Sequence, residues 1–304
     1  GLAPAAIALT HPPDWRHHRI EVVAQALRAS DLDVTLLPSP LAAVHEHLDA
    51  AADAPHGLRA VFDLGGSTCT AAIVRSGAGG IRQIAPAVVT TEVGGDSFDD
   101  ALLSHALAMT GIDGVEAVRA VDGRAMLLEA RASAVRAKHA LSFDGDAEMV
   151  VRDATPRATV RITRSEFESM IVADLERAVD TLDQAIEQAE LTPDRLVEVL
   201  LVGGSSGIPM VVQRLSGRLD LPLVADDDPQ LTIARGAARR TWAQWAASRP
   251  AVTGGADVYV PNNVAGSIAV IGDLESVCRM VSDFLCSDRF DNIDGREQPD
   301  ELHD

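Results

Sequence analysis

Asp63-Leu64-Gly65-Gly66-Ser67-Thr68, directly after the apolar run Leu58–Phe62, is the stretch whose reading decides the fold. A β-prone run ending in Asp and then Gly-Gly-Ser-Thr describes a strand that turns sharply, and Cys69-Thr70-Ala71-Ala72-Ile73-Val74 reads as its return. The glycines then sit on a hairpin tip, where backbone N–H groups can approach an anion as they do in phosphate-binding nests. The Ser67 and Thr68 hydroxyls can donate to phosphate oxygens, and Asp63 can hold a hydrated divalent cation. Taken alone, the stretch fits an ordinary tight hairpin equally well, so its company in the chain has to decide.

The 304 residues suffice for two domains, each with its own core, and 47% hydrophobic with 23% charged residues is the balance of a globular protein. Aromatics make up only 3%, so base stacking on aromatic platforms is not expected. The formal net charge of -19 repels a polyanion and argues against binding DNA or RNA. A single nucleotide remains compatible with it where N–H groups and Mg²⁺ supply a local positive field. Cys69, Cys278 and Cys286 have neither zinc spacing nor a disulfide framework, which fits a reducing, cytoplasmic compartment. No apolar run approaches the length of a transmembrane helix, and Ala3–Leu9 lacks the flank of a signal peptide. The chain opens on a strand, mid-pattern, which suggests a fragment.

Ala5–Thr10 and Asp33–Leu37 read as strands, and Trp15–Ala29 and Leu41–Ala51 as helices, an alternation that predicts a mixed sheet with helices packed on it. Ile81–Thr90 reads as one further strand. Gly94-Gly95-Asp96-Ser97-Phe98-Asp99 opens a helix and offers a second anion site at its N-terminus, although its acidic residues compete with a phosphate. A plain helix cap fits equally well. Arg124–Ser142 reads as a long helix, followed by strands at Glu148–Arg152 and Ala158–Ile162. Thr163-Arg164-Ser165-Glu166 is a capping box opening a helix to about Glu190, whose apolar stripe is core. Leu196–Val202 is a buried strand leading into Gly203-Gly204-Ser205-Ser206-Gly207 and the helix Met210–Leu215, a third place for backbone amides to cradle a ligand. Leu221–Val224 reads as a strand, and Pro229 starts a helix to about Trp245. From Ser248 a linker begins, with one strand and one helix within Ser267–Cys286. Asp283–Asp304, with eight acidic residues against two arginines, reads as a solvated tail.

Together these stretches resemble the nucleotide-binding domain of the DnaK-type heat-shock chaperones, an α/β protein of the actin-like ATPase (ribonuclease-H-like) fold. The likeness is carried by Val61–Thr68, Gly94–Asp99, Ala137-Lys138-His139-Ala140-Leu141-Ser142, Ile162–Phe167, Leu201–Pro209 and Ala234–Ala238, six ordered motifs within 5–247. The resemblance implies two lobes, the first incomplete here, around ATP or ADP and Mg²⁺. Residues 1–57 with the helix 229–247 would be the partial first lobe. Residues 58–93 and 164–228 would form the core of the second, 94–163 its subdomain, and 248–304 a linker and acidic tail. By position, Asp63 would hold the metal through water, with Asp63 and Thr68 as the catalytic positions. Gly65, Gly66, Ser67 and Thr68 would contact the phosphates, and Gly94, Gly95 and Asp96 would lie near ribose and phosphates. Lys138, His139 and Ser142 would face the adenosine, and Gly203, Gly204 and Ser205 would wrap its other side. Protein partners or co-chaperones are implied in the same way.

The departures from the family pattern are specific. Its first phosphate loop and catalytic lysine do not lie in this chain, and its metal-positioning Glu falls at Ser39. The two arginines that sandwich the adenine fall at His139 and Gly207, an adenosine-side Glu at Val135, and an acidic position at Gln230. Losing each guanidinium plane removes about 1 kcal/mol of stacking. Losing the loop and lysine removes charge stabilisation of the transferring phosphoryl, so hydrolysis by this chain alone should be weak or absent. The segment after Ser248 is too short and polar for the family's peptide-binding domain. Three functions stay open: a nucleotide-binding module of a chaperone-like protein, a pseudo-ATPase serving as an interaction or regulatory module, and a small-metabolite kinase for which no catalytic Asp stands out.

Overall fold

The computed structural model describes residues 6–29, 34–50, 55–114, 123–152 and 157–247, with two short strands at 258–259 and 268–271. Their order is β1 (Ala6–His11), α1 (His17–Arg28), β2 (Val34–Pro38), α2 (Ser39–Ala50), β3 (Gly57–Leu64), β4 (Thr68–Gly77), β5 (Gly80–Gln83) and β6 (Val88–Thr91). There follow α3 (Gly95–Thr110), α4 (Gly123–Leu141), β7 (Asp146–Arg152), β8 (Arg157–Thr163), α5 (Arg164–Gln188) and β9 (Leu196–Val202). A 3₁₀ turn at Gly204–Gly207 leads into α6 (Pro209–Arg218), then β10 (Leu223–Ala225), α7 (Thr232–Ala247), β11 (Val258–Tyr259) and β12 (Ile268–Ile271).

The strands form three sheets in a mixed α/β arrangement. The largest runs β10-β9-β3-β4-β5, with β6 also paired to β4. Within it β3 is antiparallel to β4 and parallel to β9. A second sheet runs β11-β12-β1-β2, and β7 pairs with β8 as a separate ribbon. The strands β11 and β12 lie within the segment read as linker and tail. They lengthen the second sheet through antiparallel pairing of β12 with β1. The helix and the acidic tail expected there lie outside the described residues.

Both faces of the central sheet are buried, which is why its strands read as nearly continuous apolar runs. Ala60, Phe62 and Leu64 of β3 join Val199 and Leu201 of β9 and Ile171, Leu175 and Leu182 of α5 in the larger core. Val61, Leu200 and Val202 point the other way, onto Ala42 and Ala43 of α2 and Ala237 and Ala238 of α7. The α2–α7 crossing is so close that a Cβ on Gly236 would lie 1.8 Å from the Ala42 carbonyl oxygen. Small residues at this crossing let two helices share one face of a narrow sheet.

One buried polar network crosses the sheet. The fully buried Arg59 guanidinium donates from Nε to Glu198 Oε1 at 2.5 Å, from one terminal nitrogen to Ser76 Oγ at 2.6 Å, and from the other to the Pro55 carbonyl. His47 Nε2 lies 2.9 Å from the same Glu198 oxygen, so α2 is tied to β3 and β9 through one carboxylate.

Two sequence expectations need correction. The single strand expected at Ile81–Thr90 is two strands, β5 and β6, paired to different parts of β4. Pro86 falls between them, and its missing N–H makes it a poor member of a continuous ladder. The last helix starts at Thr232 rather than Pro229, because the Thr232 hydroxyl donates to Asp226 Oδ2 at 2.6 Å and residues 229–231 form a turn. The capping box is present: Thr163 Oγ1 accepts from Glu166 N at 3.3 Å, and Thr163 N donates to Glu166 Oε2 at 2.8 Å. No helix among the described residues is long and apolar enough to cross a membrane.

Candidate functional site

Five segments, the turn at 227–230 among them, meet around one cavity of about 410 Å³, within the range of small-molecule sites. The β3–β4 tip supplies Gly65 and Gly66, the start of α3 supplies Gly95 and Asp96, and the end of α4 supplies Lys138, His139 and Ser142. The 3₁₀ turn after β9 supplies Gly204 and Ser205. Nine residues singled out from sequence are therefore brought together here. Asp63, Ser67, Thr68, Gly94 and Gly203 do not line the cavity but lie in the same turns or at their ends.

The turns are stitched to one another by backbone groups. The Gly65 carbonyl accepts from Gly95 N at 2.9 Å and from Ser205 Oγ at 2.9 Å, which uses both of its lone pairs. The Gly66 carbonyl accepts from Asp96 N at 2.7 Å. Contacts this short leave no room for side chains: a Cβ on Gly94 would lie 2.5 Å from the Gly66 carbonyl oxygen. Gly203 has φ +85°, and a Cβ there would lie 2.4 Å from the Leu64 carbonyl oxygen and 2.6 Å from Asp63 Oδ1. Glycine is required at that position by both conformation and space.

The stitching changes the sequence reading of the α3 N-terminus. Its first two amides, expected to offer a second anion site, donate instead to carbonyls of the hairpin tip. Lys138 is similarly committed. Its ammonium donates to the Gly95 carbonyl at 2.8 Å and lies 2.9 Å from Asp99 Oδ1, so it braces α4 against the start of α3. Burial raises the Asp99 pKa even against this cation. The tip itself stays open: among the described residues, Gly66 N and Ser67 N donate to no backbone carbonyl. Those two amides are the donors an anion would meet.

Asp63, at the end of β3, is half-buried, and burial pushes its carboxyl up to about 6. No hydrogen bond or ion pair from the described residues reaches this carboxylate to offset that cost. The Cys69 thiol is pushed up by burial first and by the Asp63 charge second. An uncompensated carboxylate beside a glycine cradle fits a hydrated Mg²⁺, which prefers one or two carboxylates with water and phosphate oxygens to an all-protein cage. No cluster of three metal-ligating side chains occurs among the described residues. A metal held here would therefore depend on its other oxygen ligands. Thr68 is half-buried, and its carbonyl accepts from Gly65 N at 3.0 Å, closing the tip.

Several lining residues were not singled out as site residues. Phe143 and Ile208 add apolar side chains to the lining, and Asp227 and Asp228, in the turn before α7, add carboxylates. The Gly203 amide donates to the Pro229 carbonyl at 3.0 Å, so this turn is tied to the one after β9. Phe143 carried a sequence signal, an aromatic next to a candidate site residue in an aromatic-poor chain. The Asp227–Asp228 placement had none, because it depends on how the last helix returns.

Comparison with known proteins identifies relatives of this arrangement. The family model described as Hsp70 protein matches residues 52–243. A chaperone protein HscA homolog from Bordetella pertussis is 34% identical over 235 residues, covering 76% of this chain and 36% of the relative. The homolog from Burkholderia cenocepacia strain HI2424 is 31% identical over 233 residues, again 76% of this chain and 36% of the relative. The homolog from Shewanella baltica is 29% identical over 184 residues, 60% of this chain and 28% of the relative. The chain thus spans at most 36% of the length of these curated relatives.

Proposed function

The chain belongs to the Hsp70 family, and from that premise we propose that it is the nucleotide-binding module of a chaperone-like protein. It takes ATP or ADP with Mg²⁺ in the cavity between its glycine turns, with weak or no hydrolysis by this chain alone. The observation that carries the reading is the convergence of the turns at 65–66, 95–96, 138–142 and 204–205 on one cavity. Phosphates lie against the free Gly66 and Ser67 amides. The cation sits between them and Asp63 through water, and Thr68 faces the terminal phosphate. The base lies toward His139, Ser142 and the turn at Gly203–Ser205. In the full reading the fold is that of an actin-like ATPase, in which 1–57 and 229–247 form part of a first lobe. Residues 58–93 with 164–228 are then the second-lobe core, 94–163 its subdomain, and 248–304 a linker and tail. A cytoplasmic location and protein partners such as co-chaperones follow from the same reading.

Calorimetric titration of the chain with ADP and Mg²⁺ tests it. Saturable heat that is lost on chelating the metal supports the proposal, and no heat at millimolar nucleotide refutes it.

A second reading, a pseudo-ATPase used for protein interaction or regulation, is favoured by one observation. The cation nearest the expected phosphates, Lys138, is held by Asp99 and the Gly95 carbonyl. Under this reading Asp63→Asn and Thr68→Ala leave the protein's activity in cells unchanged, and a clear loss of activity sinks it.

A further inference from the structure

The helix α4 ends in a tight turn that presents one aromatic ring to solvent. Among the described residues Phe143, at 86%, is the most exposed of the large apolar side chains on the surface, ahead of Met109 at 67%, Leu128 at 61% and Val212 at 41%. It alone of these four lines the cavity. A Phe left in water forgoes the gain of burying its ring, and in a chain with six Phe residues in all this one stands at a ligand-sized opening.

The backbone that carries it is fixed. Phe143 N donates to the Ala140 carbonyl at 2.9 Å, and Asp144 N donates to the same oxygen at 2.7 Å. The Arg164 side chain donates from Nε to the Leu141 carbonyl at 2.8 Å, and its amide donates to the Gly145 carbonyl at 2.8 Å. Two elements, α4 and α5, therefore hold the turn. Gly207 and Ile208 also line the cavity, and a Cβ on Gly207 would meet nothing within 4 Å. The lining thus includes apolar side chains, Phe143 and Ile208, as well as the polar turns at Gly65, Gly66 and Asp96.

We infer that Phe143 is a base-binding residue of this cavity, its ring stacking on the base of the bound nucleotide. The inference rests on the proposal that the cavity takes a nucleotide. A phosphate group has no use for an exposed phenyl ring, but a planar base gains from one. Stacking is tolerant of base identity because every base has a π-face, so adenine and guanine nucleotides bind with similar affinity. Under this proposal a single ring is enough, even in a chain whose composition argues against aromatic stacking platforms.

Calorimetry on the full chain with Mg²⁺ and ADP, GDP or base-free pyrophosphate tests this, using the unmodified protein, Phe143→Ala and Phe143→Trp. The Ala variant should bind both nucleotides about tenfold more weakly or worse, bind pyrophosphate within about twofold of the unmodified chain, and melt at the same temperature. The Trp variant should restore binding and show indole fluorescence quenched by ADP beyond the response of the native tryptophans. If the unmodified chain binds ADP but Phe143→Ala binds it equally well, or loses pyrophosphate to the same degree, the stacking role is overturned while the nucleotide site stands. If the unmodified chain binds neither nucleotide, the underlying proposal fails and this one with it.

Discussion

Replacing Asp63 by Asn removes a charge that the fold holds at a cost and that a bound cation needs, so stability and binding should move in opposite directions. Burial raises the folded-state pKa of Asp63 from 3.8 to about 6. Two units at about 1.36 kcal/mol each bound the cost of the ionised form at about 3 kcal/mol. The half-buried residue keeps some solvent contact, which lowers the expected gain from Asn to about 1–2 kcal/mol. At about 2.1 cal/mol/K per residue over 304 residues, that is a rise in Tm of about 1.5–3 °C. The pH dependence has a definite sign. Because the folded pKa is raised, the stability tied to the neutral acid is fully present below 3.8 and is lost as pH rises through about 6. The Tm difference between Asp63→Asn and the unmodified chain should therefore be near zero at the acid end and full at neutral pH. Scanning calorimetry of both proteins in parallel isolates this group, since the other carboxylates cancel in the difference. Titration with ADP and Mg²⁺ should meanwhile show the variant about tenfold or more weaker, and the unmodified chain weakening as pH falls below about 6. A variant no more stable than the unmodified chain at neutral pH, or a difference that persists unchanged on acidification, would refute the account of Asp63 as an uncompensated buried charge.

Three further perturbations probe the scaffold and the site. Gly236→Ala puts a methyl group 1.8 Å from the Ala42 carbonyl oxygen; the forced separation of α2 and α7 should cost about 2–3 kcal/mol or more, and a Tm within a degree of the unmodified chain would contradict it. Glu198→Gln leaves the fully buried Arg59 guanidinium without its counter-ion, a loss of about 3–5 kcal/mol that urea denaturation would reveal, whereas a loss under about 1 kcal/mol would show the network to be dispensable. Asp96→Asn removes a carboxylate whose Oδ2 would lie 3.5 Å from a Cβ on Gly66; ADP binding in the presence of Mg²⁺ should strengthen about three- to tenfold and depend less on salt, and unchanged affinity at low salt would remove Asp96 from the phosphates' surroundings.

The parts of the fold legible in the sequence are those whose signals are local. The β3–β4 hairpin, the Thr163–Glu166 capping box and the strand–turn–helix at 196–218 each follow from residue types within a few positions of one another. What escaped depends on partners that the chain delivers from elsewhere. Arg59 sits inside an apparently ordinary strand, and its counter-ion Glu198 is 139 residues away. The glycine pair at Gly94–Gly95 reads as an open helix N-terminus, and only the returning hairpin tip reveals that the Gly95 and Asp96 amides are already used. Lys138 reads as a contact to the adenosine, and its second role, a buried brace between α3 and α4 at the cavity wall, has no sequence signal. Phe143 shows the converse case: a residue type that sequence assigns to the core stands at the cavity mouth.

The central claim, that the glycine turns form one nucleotide site, is tested most directly by mapping backbone amide chemical shifts as ADP and Mg²⁺ are added to the isotopically labelled chain. The largest changes are expected at Gly65–Thr68 and at His139–Phe143, with further changes at Gly204–Ile208, all saturating together with one dissociation constant. Absence of saturable changes at the Gly66 and Ser67 amides, or changes confined to surfaces away from this cavity, would contradict it.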